Sequence, residues 1–181
     1  GPEVLQVVEN DLRPPAPGEA RVKIIAAPVS APDVTIRYGQ TPFPPRPPFV
    51  PGYSIIGAVD ALGAAKSPSA GPVAAPAVGD RVAALTVLGG YAEYIYLPKK
   101  DLIPVPASLD PAEASTLILN YLVAYQTLHR TARVQPGAKI LIVGASGGIG
   151  TADRQLGRLA GLKMYGIASK SKHPILNEHG A

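Results

Sequence analysis

Lys139-Ile140-Leu141-Ile142-Val143-Gly144-Ala145-Ser146-Gly147-Gly148-Ile149-Gly150 is the stretch that decides the fold of this chain. A run of aliphatic residues enters a cluster of glycines, and an apolar-periodic segment typical of a helix follows from Thr151. This order predicts a strand, a tight turn and a helix, the context in which a glycine-rich turn binds a dinucleotide. Glycine lets the backbone approach a pyrophosphate, and the free N–H groups of the new helix point at it. Ser146 adds a hydroxyl donor, and we place Gly147, Gly148, Ile149 and Gly150 in the same site.

The glycine template fits this turn with one substitution. The G-x-G-x-x-G spacing falls on Ala145, Gly147 and Gly150, so alanine replaces the first glycine. A glycine pattern alone is a weak signal. The alternative interpretation is a glycine-rich hairpin, or a turn that only packs a helix against a strand.

The segment after the helix predicts which nucleotide is bound. Leu162–Ile167 reads as the next parallel strand, and the chain continues through Ser169, Lys170 and Lys172 without an acidic residue. NAD-binding proteins place an Asp or Glu about 20 residues beyond the glycines, where it binds the ribose 2′-hydroxyl. Hydroxyls and lysines suit a 2′-phosphate instead, so we predict NADP(H), bound in part by Ser169 and Lys172. The alternative is an ordinary solvated basic turn.

Composition sets wider limits on the class of protein. The chain has 181 residues, is 46% hydrophobic and 17% charged, and carries a net charge of +4. Its 17 Lys and Arg residues are scattered apart from Lys170 and Lys172, so we expect no nucleic-acid surface. No apolar run approaches membrane-spanning length, and nothing resembles a signal peptide. The absence of cysteine excludes disulfides and thiolate metal sites, and fits a cytoplasmic protein.

Short strands separated by turns dominate the first half of the chain. A helix is predicted at Pro32–Tyr38, opened by Ser30 and stopped at Gly39. In the predicted strand Gly89–Leu97, the alternation of side chains between the two faces puts Ala92 and Tyr94 on one face. Together these features indicate a small barrel-like β domain up to residue 107. The strands are predicted at Glu3–Val8, Ala20–Ala27, Ser54–Leu62, Gly79–Leu85, Gly89–Leu97 and Asp101–Pro106, and a flexible turn at Gly63–Val78.

A helix is predicted to start at Asp110. Asp caps it, Pro111 takes the first helical position, and Glu113 lies three residues after the cap. Apolar side chains then recur at helical spacing and predict one buried stripe. Its members are Ala114, Leu117, Ile118, Tyr121, Leu122, Tyr125 and Leu128.

A series of motifs resembles the zinc-independent quinone-oxidoreductase-like branch of the medium-chain dehydrogenase/reductase superfamily. The Ala-x-Gly-Gly-x-Gly form of the turn is usual in that branch. In chain order the motifs are Pro51-Gly52-Tyr53, Val78-Gly79-Asp80-Arg81-Val82, Gly89-Gly90-Tyr91-Ala92-Glu93-Tyr94, Asn120-Tyr121-Leu122-Val123-Ala124-Tyr125 and Val143-Gly144-Ala145-Ser146-Gly147-Gly148-Ile149-Gly150.

The resemblance implies a mixed β and α/β fold. Residues 1–107 would form a GroES-like β-barrel domain, and residues 108–181 the linker helices and first part of a Rossmann doubly wound parallel sheet. A complete sheet of that kind has about six strands, and only two are predicted here, so we expect the sequence to be incomplete at both ends. An uncovered sheet would favour a homodimer.

The resemblance also implies hydride transfer from NADPH to a quinone or an α,β-unsaturated carbonyl. Tyr53 is our candidate donor to the developing oxyanion, and an aromatic that packs its loop is the alternative. Asn120 and Tyr121 begin the segment that faces the nicotinamide in relatives, although Tyr121 also fits the buried stripe. We expect no metal, because zinc-dependent relatives carry Cys and His near the positions of Ala31–Asp33 and Tyr53. We also expect His129, His173 and His179 to be surface or helix-end residues.

A few residues depart from the family pattern. Val123 stands where Thr is common beside the nicotinamide, and Ser30 where many members have Asn. Asp153 and Arg154 stand where relatives are apolar, and an unpaired buried charge is costly. These departures motivate an alternative: a non-catalytic nucleotide-binding or interaction protein on the same fold. An RNA-binding module is disfavoured, because aromatic and basic residues do not interleave.

Overall fold

A computed structural model of the chain describes residues 1–65 and 75–178. It forms two compact units, Gly1–Ser115 and Thr116–Ala181. The middle of the predicted turn at Gly63–Val78 lies outside the described residues.

One antiparallel sheet builds the first unit. Its five strands lie in the order β4-β1-β2-β3-β5, so β1 and β2 are central and β4 and β5 form the edges. A short helix, α1, follows β1, and α2 ends the unit. The elements are β1 (Glu19–Ala26), α1 (Ala31–Arg37), β2 (Ser54–Leu62), β3 (Arg81–Leu85), β4 (Tyr94–Pro98), β5 (Ile103–Pro104) and α2 (Pro111–Thr116).

Alternation explains the core of this sheet. In β1, Ala20 and Val22 are fully buried, while Lys23, which follows Val22, is exposed. Side chains alternate across a strand, so every second residue faces the interior. The predicted strand Ser54–Leu62 is confirmed over its full length. The core cluster consists of Ala20, Val22, Ile55, Val59, Val82, Ala84 and Leu102.

The predicted first strand, Glu3–Val8, is wrong. Pro2–Val4 form a 3₁₀ turn in which Leu5 N–H donates to the Pro2 carbonyl at 3.0 Å. Both edges of β1 are already paired, with β2 on one side and β4 on the other. The segment Glu3–Val8 takes no place in the five-stranded sheet, and Val7 is 98% exposed.

Two later strands are shorter than predicted. In place of Gly89–Leu97 the strand spans Tyr94–Pro98, because Tyr91 N–H donates to the Pro51 carbonyl at 2.9 Å and holds the preceding residues in a turn. The predicted two-face alternation therefore does not extend to residues 91–93. In place of Asp101–Pro106 only Ile103–Pro104 pair, following a 3₁₀ turn at Lys99–Asp101.

Two parallel strands and their helices make the second unit. Each residue of β6 pairs in register with β7, from Lys139 opposite Lys163 to Val143 opposite Ile167. Ile142, Ala145 and Leu176 form the buried centre beside them. The elements are α3 (Leu122–Tyr125), β6 (Lys139–Val143), α4 (Gly148–Leu159), β7 (Lys163–Ile167) and α5 (His173–Glu178).

The predicted helix from Asp110 is confirmed at its start and altered further on. The Asp110 carboxylate accepts the N–H groups of Ala112 at 2.9 Å and Glu113 at 3.0 Å. Beyond α2, however, the helix widens to a π-helix at Leu117–Tyr121 and again at Gln126–Thr131. These i→i+5 turns shift the side-chain register. Of the predicted stripe, Ala114 and Leu128 are buried, whereas Leu117, Leu122 and Tyr125 are exposed. Ala124, which was not predicted to belong to the stripe, is fully buried.

Candidate functional site

The glycine-rich segment is a crossover turn from strand to helix. It leaves β6 at Val143 and enters α4 at Gly148. Gly144 and Ala145 both donate backbone N–H bonds to the Ile167 carbonyl at 3.0 Å, which fixes the turn to the end of β7. Because β6 and β7 are parallel and α4 connects them, the hairpin alternative is wrong.

Close packing accounts for the small residues inside the turn. A β-carbon at Gly150 would lie 2.6 Å from the Gly144 carbonyl oxygen and 2.7 Å from the Ala145 Cα. These are backbone atoms, so no side chain can move aside. Ala145 itself is fully buried beside Ile142 and Leu176. Alanine therefore fits the first template position because its methyl group joins the core.

The N-terminus of α4 is open to an anion. Ser146, Gly147, Gly148 and Ile149 are exposed, and the first turn contains no acidic residue. Gly147 caps the helix without a side chain that could occupy the site. The first N–H groups of a helix lack partners within it, and they carry a partial positive charge. The turn therefore has the shape and charge that a pyrophosphate requires.

Asn120 and Tyr121 both reach α4. The Asn120 amide lies over Gly148, so that a β-carbon there would come within 2.6 Å of Nδ2. The Tyr121 hydroxyl donates to Gln155 Oε1 at 2.5 Å. The structure thus brings Asn120 beside the glycine turn and Tyr121 beside Gln155, farther along α4. Tyr121 is half-buried, as a member of the predicted stripe, and its hydroxyl also forms a hydrogen bond to Gln155.

Gln155 was not among the predicted residues. It is exposed on α4 among polar neighbours, and nothing in its spacing marks it. Only the tyrosine bond identifies it. The π-helical turn at Leu117–Tyr121 changes which side chains face α4, and helical periodicity does not predict such a turn.

The basic turn follows β7. Lys170–Lys172 form a 3₁₀ turn in which Lys172 N–H donates to the Ser169 carbonyl at 2.8 Å. The Ser169 and Ser171 hydroxyl oxygens are 3.3 Å apart. All of these residues are exposed. Two cations and two hydroxyls therefore stand together at the carboxyl end of β7.

Two adjacent charged residues of α4 are withdrawn from solvent. Asp153 Oδ1 is buried without a hydrogen-bond partner, and burial raises the pKa of the Asp153 carboxyl. Arg154 is 2% exposed, and its Nε also lacks a partner. Arg154 is therefore buried, and Asp153 is half-buried, on the same helix.

A buried carboxylate organises the loops around Tyr53 in the first unit. Asp33 is 6% exposed and accepts Ser30 N–H at 2.8 Å, the Ser30 hydroxyl at 2.5 Å and Gly52 N–H at 3.2 Å. Asp33 was not predicted to have a role, and Ser30 emerges as its helix-capping partner. Burial, and then the nearby Asp33 carboxylate, raise the pKa of Tyr91 to about 12.

Tyr53 follows Gly52 in this loop. Its carbonyl accepts the N–H groups of Thr86 at 2.9 Å and Val87 at 3.0 Å, and its side chain is half-buried. The backbone of Tyr53 is thereby fixed at the end of β3.

Residues 1–65 and 75–178 contain no group of three His, Cys, Asp or Glu side chains that could hold a metal ion. The His129 ring packs against Tyr125 at 4.8 Å between centroids. His173 is exposed, with Nε2 3.2 Å from the Ala168 carbonyl oxygen. His179 lies outside the described residues. No helix in the described ranges is both long and apolar enough to span a bilayer.

Comparison with known proteins identifies relatives of both units. The alcohol dehydrogenase GroES-like domain matches residues 16–107. Quinone oxidoreductase from Pongo abelii is 34% identical over 185 residues, covering 100% of this chain and 54% of that protein. Quinone oxidoreductase from Pseudomonas syringae pv. Tomato DC3000 superposes with a TM-score of 0.87 at 33% identity, covering 100% of this chain and 54% of that one.

A mycobacterial protein solved in complex with NADPH is a further neighbour. It has a TM-score of 0.85 and 30% identity, covering 100% of this chain and 54% of its own. The chain thus spans about half the length of the relatives it matches. The comparisons support the predicted GroES-like and Rossmann-type fold class.

Proposed function

The chain belongs to the alcohol dehydrogenase GroES-like family, within the medium-chain dehydrogenase/reductase superfamily, and from this premise we propose that it is part of an NADPH-dependent oxidoreductase. The acceptor class is a quinone or an α,β-unsaturated carbonyl. The turn from β6 to α4 carries the proposal, because its exposed helix N-terminus and close-packed glycines are suited to binding a pyrophosphate. We call this proposed binding site, at Gly147–Gly150, the phosphate seat.

Three parts of the second unit would hold the nucleotide. Ser146 and the N–H groups of Gly147, Gly148, Ile149 and Gly150 would bind the pyrophosphate. Asn120, which lies against Gly148, and the adjacent Tyr121 would contact the neighbouring part of the nucleotide. Ser169 and Lys172 would bind the 2′-phosphate, where charge-assisted bonds favour NADPH over NADH.

When bound, NADPH supplies the hydride, and the protein positions it and excludes water. Hydride addition to a quinone or enone leaves negative charge on an oxygen, which needs a hydrogen-bond donor. We assign this role to Tyr53, whose backbone is fixed by Thr86 and Val87. The assignment of residues 1–107 to the GroES-like domain and 108–181 to the nucleotide-binding part belongs to the same proposal. So do zinc independence, a homodimer and a cytoplasmic location.

Relatives support this proposal over its alternative. Several relatives at about 34% identity are named quinone oxidoreductase, and one structural neighbour was solved with NADPH. The alternative, a non-catalytic nucleotide-binding protein, draws on Asp153, a carboxyl group on the same helix as the phosphate seat. An anion there opposes phosphate binding unless it is protonated.

A steady-state assay distinguishes the oxidoreductase from the non-catalytic nucleotide-binding protein. It measures NADPH oxidation by the full-length protein with 1,2-naphthoquinone or an enal as the acceptor. The oxidoreductase proposal predicts NADPH-dependent turnover that falls when Tyr53 is replaced by Phe. NADPH binding without turnover supports the alternative. Absence of both binding and turnover contradicts both functions.

A further inference from the structure

Arg154 is the largest fully buried side chain among the described residues. Its Nη1 donates to the Leu176 carbonyl and its Nη2 to the Thr151 hydroxyl, each at the long distance of 3.4 Å. Its Nε has no hydrogen-bond partner. A guanidinium has five N–H donors, and the described groups accept two of them at long distances.

The guanidinium points toward the glycine turn. Side chains on a helix tilt toward its N-terminus, and Arg154 reaches back to Thr151, one turn earlier. Thr151 N–H in turn bonds to the Gly147 carbonyl at 2.8 Å. A buried positive charge therefore lies just behind the end of α4 that faces solvent.

Among the described side chains, those of residues 1–65 and 75–176, no carboxylate forms an ion pair with Arg154. The ion pairs there join Gly1 to Glu3, Arg13 to Glu19, and Arg21 to Asp60, all in the first unit. Asp153 is adjacent in sequence, but consecutive residues of a helix do not face each other. A buried, unpaired cation is costly to the fold, so an apolar residue would pack better at this position.

We propose that Arg154 is an internal cation that increases the affinity of the α4 N-terminus for the phosphates of a dinucleotide. The inference rests on the proposed nucleotide-binding function and adds a residue that contacts no solvent. Its charge adds to the partial positive charge of the helix end, and its burial limits screening by salt. A bound phosphate would stabilise the buried cation, and the coupling is reciprocal.

Replacement of Arg154 by Met tests this proposal. Met keeps most of the side-chain volume and removes the charge. The melting temperature of the ligand-free protein is expected to rise, while affinity for both NADPH and NADH falls by roughly tenfold, within the usual range of such couplings. Both nucleotides carry the pyrophosphate, so the loss should be equal. Arg154→Lys, which keeps the charge, is expected to retain most of the affinity.

Other outcomes are decisive as well. If the wild type binds NADPH and Arg154→Met binds it equally well, this inference is wrong and the proposed function stands. A loss confined to NADPH, or a joint fall of melting temperature and affinity, shows that Arg154 supports the basic turn or the fold instead. A wild type that binds neither nucleotide overturns both proposals. If Arg154→Met does not fold, Arg154→Gln replaces it, because Gln keeps N–H donors without the charge. The affinities of this variant for NADPH and NADH are then compared with those of the wild type.

Discussion

The side-chain amide of Asn120 fills the space that a β-carbon on residue 148 would need. The distance from that position to Nδ2 is 2.6 Å, far inside van der Waals contact. Gly148 is not in the left-handed backbone region, so a larger residue here meets the Asn120 side chain, which would have to move, and not a backbone restriction. The helix before β6 and the phosphate seat are therefore held in direct contact.

Gly148→Ala is expected to weaken NADPH binding, because the new methyl group pushes Asn120 away from the turn. Adding Asn120→Ala should relieve the clash and recover stability, with a coupling of about 1 kcal/mol between the two sites. Urea denaturation and NADPH titration of both single variants and the double variant measure it.

Gly144→Ala is the matched control. Residue 144 has a φ of +74° with open space around it, so its cost is a backbone cost of about 1 kcal/mol. Asn120→Ala should give no relief there. Equal rescue at both positions contradicts the steric explanation.

Lys172→Ala is expected to reduce NADPH affinity about tenfold or more and leave NADH affinity nearly unchanged. A hydrogen bond to a charged group contributes about 1.5–3 kcal/mol, and only NADPH has the 2′-phosphate. Lys139→Ala is the control, because Lys139 begins β6 at the opposite end of the sheet. An equal loss for both nucleotides would argue against the assignment of the basic turn.

Asp153→Ala is expected to raise the melting temperature near neutral pH. Burial raises the pKa of the Asp153 carboxyl above that of an ordinary aspartate. As the pH rises, Asp153 therefore ionises in the unfolded chain before it ionises in the folded protein. The free energy of unfolding falls between the pKa of Asp153 in the unfolded chain and its higher pKa in the folded protein. The advantage of Ala should be full above the folded pKa and disappear below about pH 4. Asp153→Asn, which removes only the charge, should show the same pH dependence. A benefit independent of pH contradicts the burial argument.

Tyr91→Phe is expected to make the protein less sensitive to alkali. The pKa of Tyr91 is raised to about 12, from 10.0, so the unfolded chain loses this proton first. The wild type should lose stability as the pH rises above about 10, by about 1 kcal/mol after allowance for solvent screening. Thermal melts of both proteins at about pH 8 and about pH 11 compare the two. A parallel decline in the two proteins contradicts the assignment.

Local patterns predicted much of the framework. β2 was predicted to the residue, since its apolar run lies between turn residues and occupies the centre of the sheet. The caps at Ser30 and Asp110 were readable because capping depends on residues three positions apart. The strand, turn and helix at Lys139–Gly150 follow from the same local logic.

Failures occurred where distant contacts decide. Glu3–Val8 has the composition of a strand, but a strand needs a pairing partner, and no strand of the sheet pairs with this segment. The π-helical turns change which side chains of the helix are buried, and the residue types in these turns do not predict a π-helix. Asp33, Arg154 and Gln155 acquire their roles only through partners brought near by the fold.

Thermal melting of the chain with NADPH and with NADH, at equal concentrations, tests the central claim most directly. A ligand at about a hundred times its Kd stabilises a protein by about 2.7 kcal/mol. The account predicts a clear rise of Tm with NADPH and a smaller one, or none, with NADH. Unchanged melting with both nucleotides would contradict a phosphate seat at Gly147–Gly150, and an equal rise would contradict the selection of the 2′-phosphate by Ser169 and Lys172.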